Sequence, residues 1–230
     1  MDSYNLLTGY FDRHILIGGV KFPVNAPVIP MRTHGKRFKV GKGARRRFPK
    51  QKIDLIVLHW TGGEASALST FRTLTRRDLG AEFVIDNSGV IWQFADPATI
   101  DTFDAGYVNP RSVGIEITNY GFRSSRSKVP SAGRYRPMYE TVMNGQTRHF
   151  AGFYPVQIQA ALALCGTLRA ALRNVKRQIP RDPDGNILRR VMTKAEILEY
   201  AGVLGHFHVS RAKSDPGLDI FDAFDAAGYG

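Results

Sequence analysis

Residues 53–63 read Ile53-Asp54-Leu55-Ile56-Val57-Leu58-His59-Trp60-Thr61-Gly62-Gly63, and this stretch decides the predicted fold. Its first six positions are mostly apolar, which is typical of a buried strand. The Thr-Gly-Gly sequence then indicates a turn, and apolar residues at helical spacing predict a helix over roughly 65–78. A buried strand that leads directly into a helix is typical of α/β proteins.

Further strands and helices continue this alternation. The β-forming run at 82–94 is interrupted by Asp-Asn-Ser-Gly, which predicts a hairpin. Residues 112–118 predict another buried strand, and residues 155–175 predict a helix. A capping-box pattern, Thr193 with Glu196, begins a further short helix. We therefore expect an α/β fold with a mixed central β-sheet flanked by helices.

The chain is predicted to divide at about residue 50. Residues 1–50 form an N-terminal extension with a hairpin that turns at Gly18-Gly19, and residues 51–230 form the main domain. Within that domain, residues 121–152 are rich in Arg, Ser, Gly and Pro and separate a strand from a helix, which indicates a long connection. This connection either lines the approach to an anionic substrate or forms a mobile surface loop; its cations are Arg123, Arg126, Lys128, Arg134 and Arg136.

Positive charge is concentrated in the extension. The formal net charge is +12, and residues 32–52 hold ten lysines and arginines without one acidic residue. Such a segment binds anionic polymers of a bacterial envelope, anionic lipid or nucleic acid, or else it is a solvated linker. Only Phe38 and Phe48 interrupt it, whereas nucleic-acid binding usually adds stacking aromatics. The composition therefore does not favour nucleic acid.

Cysteine content and hydropathy exclude several classes of protein. Cys165 is the one cysteine, so the chain forms no internal disulfide and no thiolate-rich metal site, and its apolar surroundings indicate a buried thiol. The sequence contains no run of about 18 apolar residues, so no membrane span is predicted. Residues 1–5 do not resemble the start of a signal peptide.

The residues that carry chemistry are concentrated near the C-terminus. Residues 205–217 read Gly-His-Phe-His-Val-Ser-Arg-Ala-Lys-Ser-Asp-Pro-Gly and bring two imidazoles close to an ammonium and a carboxylate. His59, one of these two histidines and the carboxylate together make the ligand set of a catalytic zinc site with one open position. Glu116, on the buried strand at 112–118, would supply the base. The sequence therefore predicts a hydrolase.

In this order, five motifs resemble the zinc-dependent N-acetylmuramoyl-L-alanine amidases, the family that also contains peptidoglycan recognition proteins and phage amidase lysins. They are His59-Trp60-Thr61, the hairpin turn at 86–89, Ser112–Ile117, Gly205-His206 and Lys213–Gly217. The resemblance covers about residues 53–225 and implies a single amidase-like domain behind the extension. It also implies that His59, His206 and Asp215 bind Zn²⁺, that Glu116 is the acid-base residue, and that Lys213 stabilises the oxyanion.

Two features of the site stay open at this stage. His206 and His208 would share one face of an extended strand, so either could reach a metal; Gly205-His206 matches the family, which leaves His208 as a supporting or substrate contact. Family members often have a Tyr-His or His-Tyr pair where this chain has Ala81-Glu82, and a histidine where it has Asp104. We expect Asp104 to bind substrate in place of the missing histidine, and Asn119 to be a further substrate contact.

The function implied by this resemblance is zinc-dependent hydrolysis of the amide between N-acetylmuramic acid and L-alanine in peptidoglycan. The absent signal peptide suits either a phage lysin, made in the cytoplasm and acting at the cell wall, or a cytoplasmic recycling enzyme, and the basic segment at 32–52 favours the lysin. A non-catalytic peptidoglycan-binding module of the same fold is the alternative. A nucleic-acid-binding protein would leave the placement of Glu116 and Lys213 unexplained.

Overall fold

The computed structural model describes residues 11–30, 32–33, 36–37, 42–48, 51–123 and 136–230. Its strands are β1 (Asp12–Ile17), β2 (Val20–Ile29), β3 (Arg32–Thr33), β4 (Lys36–Arg37), β5 (Ala44–Arg46), β6 (Leu55–Trp60), β7 (Phe83–Ile85), β8 (Ile91–Gln93), β9 (Ile100–Thr102), β10 (Ser112–Ile117), β11 (Phe122–Arg123), β12 (Met138–Met143), β13 (Gln146–Ala151) and β14 (Gly202–Gly205). The helices are α1 (Ala67–Arg76), α2 (Pro155–Ala171), α3 (Lys194–Glu199), α4 (His206–Val209) and α5 (Asp219–Ala226), with a 3₁₀ turn at Gly106–Arg111.

A seven-stranded sheet organises the molecule, in the order β1-β2-β8-β7-β10-β6-β14. Strands β7, β10, β6 and β14 run parallel, whereas β8 runs antiparallel to β7, and β1 to β2. The predicted mixed sheet is therefore confirmed. Because these four parallel strands are adjacent, their carboxyl ends meet along one edge, where α/β proteins commonly place their ligands.

Both faces of this sheet are buried. Ile56 and Leu58 of β6 contribute to a core shared with α2, while Leu55 and Val57 point to the opposite face. On that second face, Ala67 of α1 packs in a cluster with core residues of β7 and β8. His59 follows Leu55 and Val57 by the same two-residue period, so its side chain emerges on the face covered by α1.

The N-terminal hairpin joins this sheet. The pair β1–β2 turns at Gly18-Gly19 as the sequence predicts, and residues 28–29 of β2 pair in parallel with residues 91–92 of β8. Its turn is fixed by Asp96, whose carboxylate oxygens each accept a hydrogen bond of 2.8 Å from the amides of Gly18 and Gly19. The division into an extension and a main domain at residue 50 stays a prediction.

Part of the basic segment is built into the interior. Arg47 is 5% exposed and forms an ion pair of 3.3 Å with Glu82, while Arg45 pairs with Asp101 at 2.8 Å. The guanidinium of Arg47 also donates to main-chain carbonyls of Pro97, Ile100, Asn109, Pro110 and Ser112. Lys52 also pairs with Asp54, so at least three cations of this segment have acidic partners among the described residues.

The prediction of a long connection at 121–152 is wrong for much of that segment, because β11, β13 and β12 form a three-stranded sheet. Strands β12 and β13 turn at Asn144-Gly145, where both residues have the positive φ that a tight hairpin requires. Arg136 is 1% exposed and is hydrogen-bonded to Glu64 and Asn87. It therefore neither lines the approach to an anionic substrate nor belongs to a mobile surface loop. Arg126, Lys128 and Arg134 lie outside the described residues.

The structure bears on two conclusions drawn from composition, the buried thiol of Cys165 and the lack of a predicted membrane span. Cys165 lies in α2 and is fully buried, and burial raises the pKa of its thiol well above the ordinary value. The expected inert thiol is thereby confirmed. Within the described part of the chain, no helix has both the length and the apolar composition needed to cross a membrane.

Candidate metal centre

Parallel strand ends place the predicted site residues together. His59 and Glu116 are register partners across the parallel pair β6–β10, and β14 delivers His206 from the other side of β6. All three lie at the carboxyl edge of the sheet. The loop after α4 returns Asp215 to the same place, where its main-chain carbonyl accepts a hydrogen bond of 3.1 Å from the amide of Phe207.

The side chains of His59, His206 and Asp215 form one compact cluster. Asp215 Oδ2 lies 3.0 Å from His59 Nδ1 and 3.1 Å from His206 Nδ1, and one potential ligand atom of each residue lies within 4.8 Å of the others. Nitrogen and oxygen ligands of a tetrahedral zinc ion are roughly 3.4 Å apart. All three residues are buried. The donor set, its spacing and its burial therefore fit a zinc ion.

The electrostatics of two of these groups also suit a ligand set. Burial lowers the pKa of His206 and outweighs its hydrogen bond to Asp215, so its imidazole is neutral at pH 7. Burial would raise the pKa of Asp215, but hydrogen bonds to both histidines lower it below the ordinary value. A neutral imidazole and an ionised carboxylate are the forms that bind a metal.

His59 differs because carboxylates face both of its ring nitrogens. Asp104 Oδ2 lies 3.1 Å from Nε2, opposite the contact of Nδ1 with Asp215. Burial would lower the pKa of His59, but the hydrogen bonds to Asp104 and Asp215 raise it well above its ordinary value. A cation in the cluster would therefore take the place of a ring proton between His59 and Asp215.

Glu116 stands beside this cluster without a hydrogen-bond partner for one carboxylate oxygen. Its Oε2 is fully enclosed and has no partner among the described residues. Burial, which the positive charge of His59 only partly offsets, raises the pKa of Glu116 to about 7. A carboxyl group with such a pKa both accepts and releases a proton near neutral pH.

An elongated cleft opens onto these residues. Its lining includes the ligand cluster, Glu116, Asp104, Trp60 and Lys213, and it continues along α1 to Arg77. Sequence reasoning missed the α1 wall, although the residues that form it recur at helical spacing; they are Thr70, Thr73, Leu74 and Arg77. Arg77 is exposed at the C-terminal end of α1, so the far end of the cleft carries a positive charge.

His208 is placed away from this cleft. Residues 206–209 form the helical turn α4, so the expected extended strand is wrong here, and side chains two positions apart point about 200° from each other. His208 is fully buried; its Nδ1 accepts from the Gly205 amide at 2.9 Å and its Nε2 donates to the Leu188 carbonyl at 2.9 Å. Burial lowers its pKa to about 3.

Asn119 is also turned inward. Its side-chain amide donates to the carbonyls of Ala151 and Gly152, and its Oδ1 accepts from the amide of Gly121 at 2.8 Å. It is fully buried, and it ties the end of β10 to the three-stranded sheet. Of the three residues expected to contact substrate, the structure therefore brings only Asp104 to the cleft.

The fold and this cluster define a class of protein: an α/β domain that carries a candidate catalytic metal centre at the carboxyl ends of its parallel strands. Residues 49–218 match the family model described as N-acetylmuramoyl-L-alanine amidase. The chain belongs to that family, and the resemblance seen in its sequence is thereby confirmed. No curated protein matches the chain.

Solved structures show the same fold at low sequence identity. The N-acetylmuramyl-L-alanine amidase AmiD from E. coli is 21% identical, with a TM-score of 0.50 over 81% of this chain and 62% of that chain. AmpDh3 from Pseudomonas aeruginosa is 20% identical, with a TM-score of 0.49 over 81% and 64%. The chain therefore covers less than two thirds of either protein. The Ph2119 endolysin of a Thermus scotoductus bacteriophage is 16% identical, with a TM-score of 0.47 over 84% and 93%.

Proposed function

We propose that the protein hydrolyses the amide bond between N-acetylmuramic acid and L-alanine in bacterial peptidoglycan, with zinc held by His59, His206 and Asp215. The observation that carries this proposal is the position of Glu116 Oε2, which has no hydrogen-bond partner in the described part of the chain, beside the three candidate ligands. An unpaired buried carboxylate oxygen is costly, and a surface that only binds does not require it. Hydrolysis requires a base at this place.

Family membership supports this choice of substrate. The structure of AmiD contains anhydro-N-acetylmuramic acid-L-Ala-D-gamma-Glu-L-Lys, a muramyl peptide that includes the proposed linkage. The open cleft along α1 can admit an extended chain of this kind, with the scissile amide at the cluster.

The side chains divide the chemistry between them. Zinc bound by the cluster would polarise the water and the amide carbonyl. Glu116 takes the proton of the attacking water at its free Oε2 and gives it to the departing amine of L-alanine. Lys213, which lines the same cleft, faces the negative charge that develops on the carbonyl oxygen.

The stem peptide of peptidoglycan carries carboxylates, and Arg77 supplies a cation at the far end of the cleft. Arg77→Ala is expected to raise KM for a muramyl peptide by about fivefold with kcat nearly unchanged, because an exposed ion pair contributes to binding but not to the reacting centre. Steady-state kinetics on a soluble muramyl peptide measure both constants.

The matched control for this prediction is Arg72→Ala, which removes the same charge from the same helix. Arg72 is exposed and is not part of the cleft lining, so both constants should stay near those of the unchanged protein. An equal rise in KM in both variants would assign the effect to net charge instead of to Arg77.

We further propose that the activity serves lysis of the cell wall, in the manner of a phage lysin made in the cytoplasm. The basic segment at 32–52 supports this setting, since a run of cations without an acidic residue in its sequence can engage anionic envelope polymers. A soluble enzyme of wall recycling is the second setting. The two differ in whether intact polymeric wall is a substrate.

Mass spectrometry of purified peptidoglycan, after incubation with the zinc-loaded protein, tests the proposed reaction. We expect new stem peptides with a free L-alanine amino group, released from intact glycan strands, and no release after zinc is removed with a chelator. An unchanged digest with the protein bound to the wall would instead support the binding module. Cleavage of soluble muramyl peptides alone would support the recycling enzyme.

A further inference from the structure

Asp104, two residues after β9, contacts a candidate metal ligand. Its Oδ2 lies 3.1 Å from His59 Nε2, and both side chains are 3% exposed. The other ring nitrogen, Nδ1, faces Asp215 within the cluster. The imidazole of His59 is therefore held between an inner carboxylate and an outer one.

The position of Asp104 is fixed by its own surroundings. Asn109 Oδ1 accepts hydrogen bonds from the main-chain amides of Asp104 at 3.3 Å and Ala105 at 2.7 Å. Gly114 of β10 leaves the space that the carboxylate fills, since a Cβ at that position would lie 1.9 Å from Asp104 Oδ2. A side chain at residue 114 would consequently displace Asp104 from His59.

A second carboxylate binds the main chain at Gly114. Glu82 accepts from the Gly114 amide through Oε2 at 2.7 Å. It also accepts from Thr102 at 2.7 Å and is paired with the buried Arg47. Gly114 is therefore fixed by Glu82 through its amide and lies against Asp104 where a side chain would otherwise be.

The chemistry of imidazole gives this contact a specific effect. A neutral imidazole has one nitrogen that donates and one that accepts, and a carboxylate at Nε2 selects the form protonated there. The lone pair of Nδ1 then points to the cluster. Histidines that bind metals usually donate their other N–H to a carboxylate or a carbonyl, which fixes the ring and strengthens the ligand.

We propose that Asp104 is a positioning residue that holds His59 with its proton on Nε2 and its Nδ1 directed at the metal. This inference rests on the zinc site of the proposed function. It replaces substrate contact as the role of Asp104, because the oxygen nearest the cluster is engaged by His59 and the side chain is almost fully buried.

Zinc affinity, measured by competition with a chromophoric chelator, tests this role apart from turnover. Asp104→Ala is expected to bind zinc about 10- to 100-fold more weakly than the unchanged chain. Asp104→Asn should restore most of that loss, because its amide oxygen still accepts from Nε2. In the zinc-loaded unchanged protein, ¹⁵N NMR of the histidine rings should show the His59 proton on Nε2.

Asp54→Ala is the matched control, because Asp54 is an equally buried carboxylate that lies just before β6 and pairs with Arg111. It should lower the melting temperature and leave zinc affinity unchanged. Unchanged zinc affinity in Asp104→Ala, or a His59 proton on Nδ1, would overturn this inference and leave the proposed function standing. Failure of the unchanged chain to bind zinc would overturn it together with the proposed function.

Discussion

Replacing Glu116 with glutamine is expected to lower the turnover of peptidoglycan by about 100- to 10,000-fold, the usual contribution of a general acid-base residue. The amide keeps the shape of the side chain but cannot accept the proton of the attacking water. Zinc content should not change, because Glu116 lies beside the cluster of His59, His206 and Asp215 and is not part of it. Released stem peptides and bound zinc are measured on the same preparation.

Glu199→Gln provides the matched control, since it makes the same change at an exposed position of α3 that does not line the cleft. It should retain full activity. If Glu116→Gln turned over peptidoglycan at the unchanged rate with its zinc in place, Glu116 would not be the base.

Alanine substitutions of the two histidines of α4 are expected to have different effects. His206→Ala should weaken zinc binding by more than about 100-fold and abolish turnover, because it removes a ligand and not merely a supporting contact. His208→Ala should keep its zinc but lower the free energy of unfolding by about 2 to 4 kcal/mol, since it leaves the Gly205 amide and the Leu188 carbonyl unpaired.

Chelator competition and chemical denaturation separate these outcomes. His206→Ala should unfold near the midpoint of the metal-free unchanged protein, whereas His208→Ala should unfold earlier with or without zinc. Loss of zinc from a well-folded His208→Ala, with zinc retained in His206→Ala, would exchange the two assignments.

Much of this fold could be predicted from local pattern. The apolar run before His59, the Asp-Asn-Ser-Gly turn at 86–89 and the Gly18-Gly19 turn each indicate their element without any knowledge of its neighbours, and all three elements form as expected. The parallel pairing of β2 with β8 could not be predicted, because it depends on which sheet edge is left open after the domain folds.

The three-stranded sheet has a local sequence signal that the prediction of a long connection overlooked. Asn144-Gly145 lies between β-forming residues, and this dipeptide is among the strongest hairpin signals. The burial of Arg136 has no such local signal. Its partners Glu64, Asn87 and Gln157 are scattered along the chain and meet only in the folded protein.

The candidate site was predictable where residue type determined it and unpredictable where backbone conformation did. His59 and Asp215 come together as expected. The choice between His206 and His208 depended on whether residues 206–209 form a strand or a helical turn, and four residues after a glycine do not decide this. Only the helical turn directs the two imidazoles to opposite sides.

Arg47 lies two positions before residue 49, where the family match begins, yet its guanidinium is the buried counter-ion of Glu82 inside the domain. A chimera that joined residues 49–218 to a foreign leading segment would enclose the carboxylate of Glu82 without its cation. In this chain, the residues needed to complete the buried structure around Glu82 therefore include at least one that precedes the stretch matched by the family model.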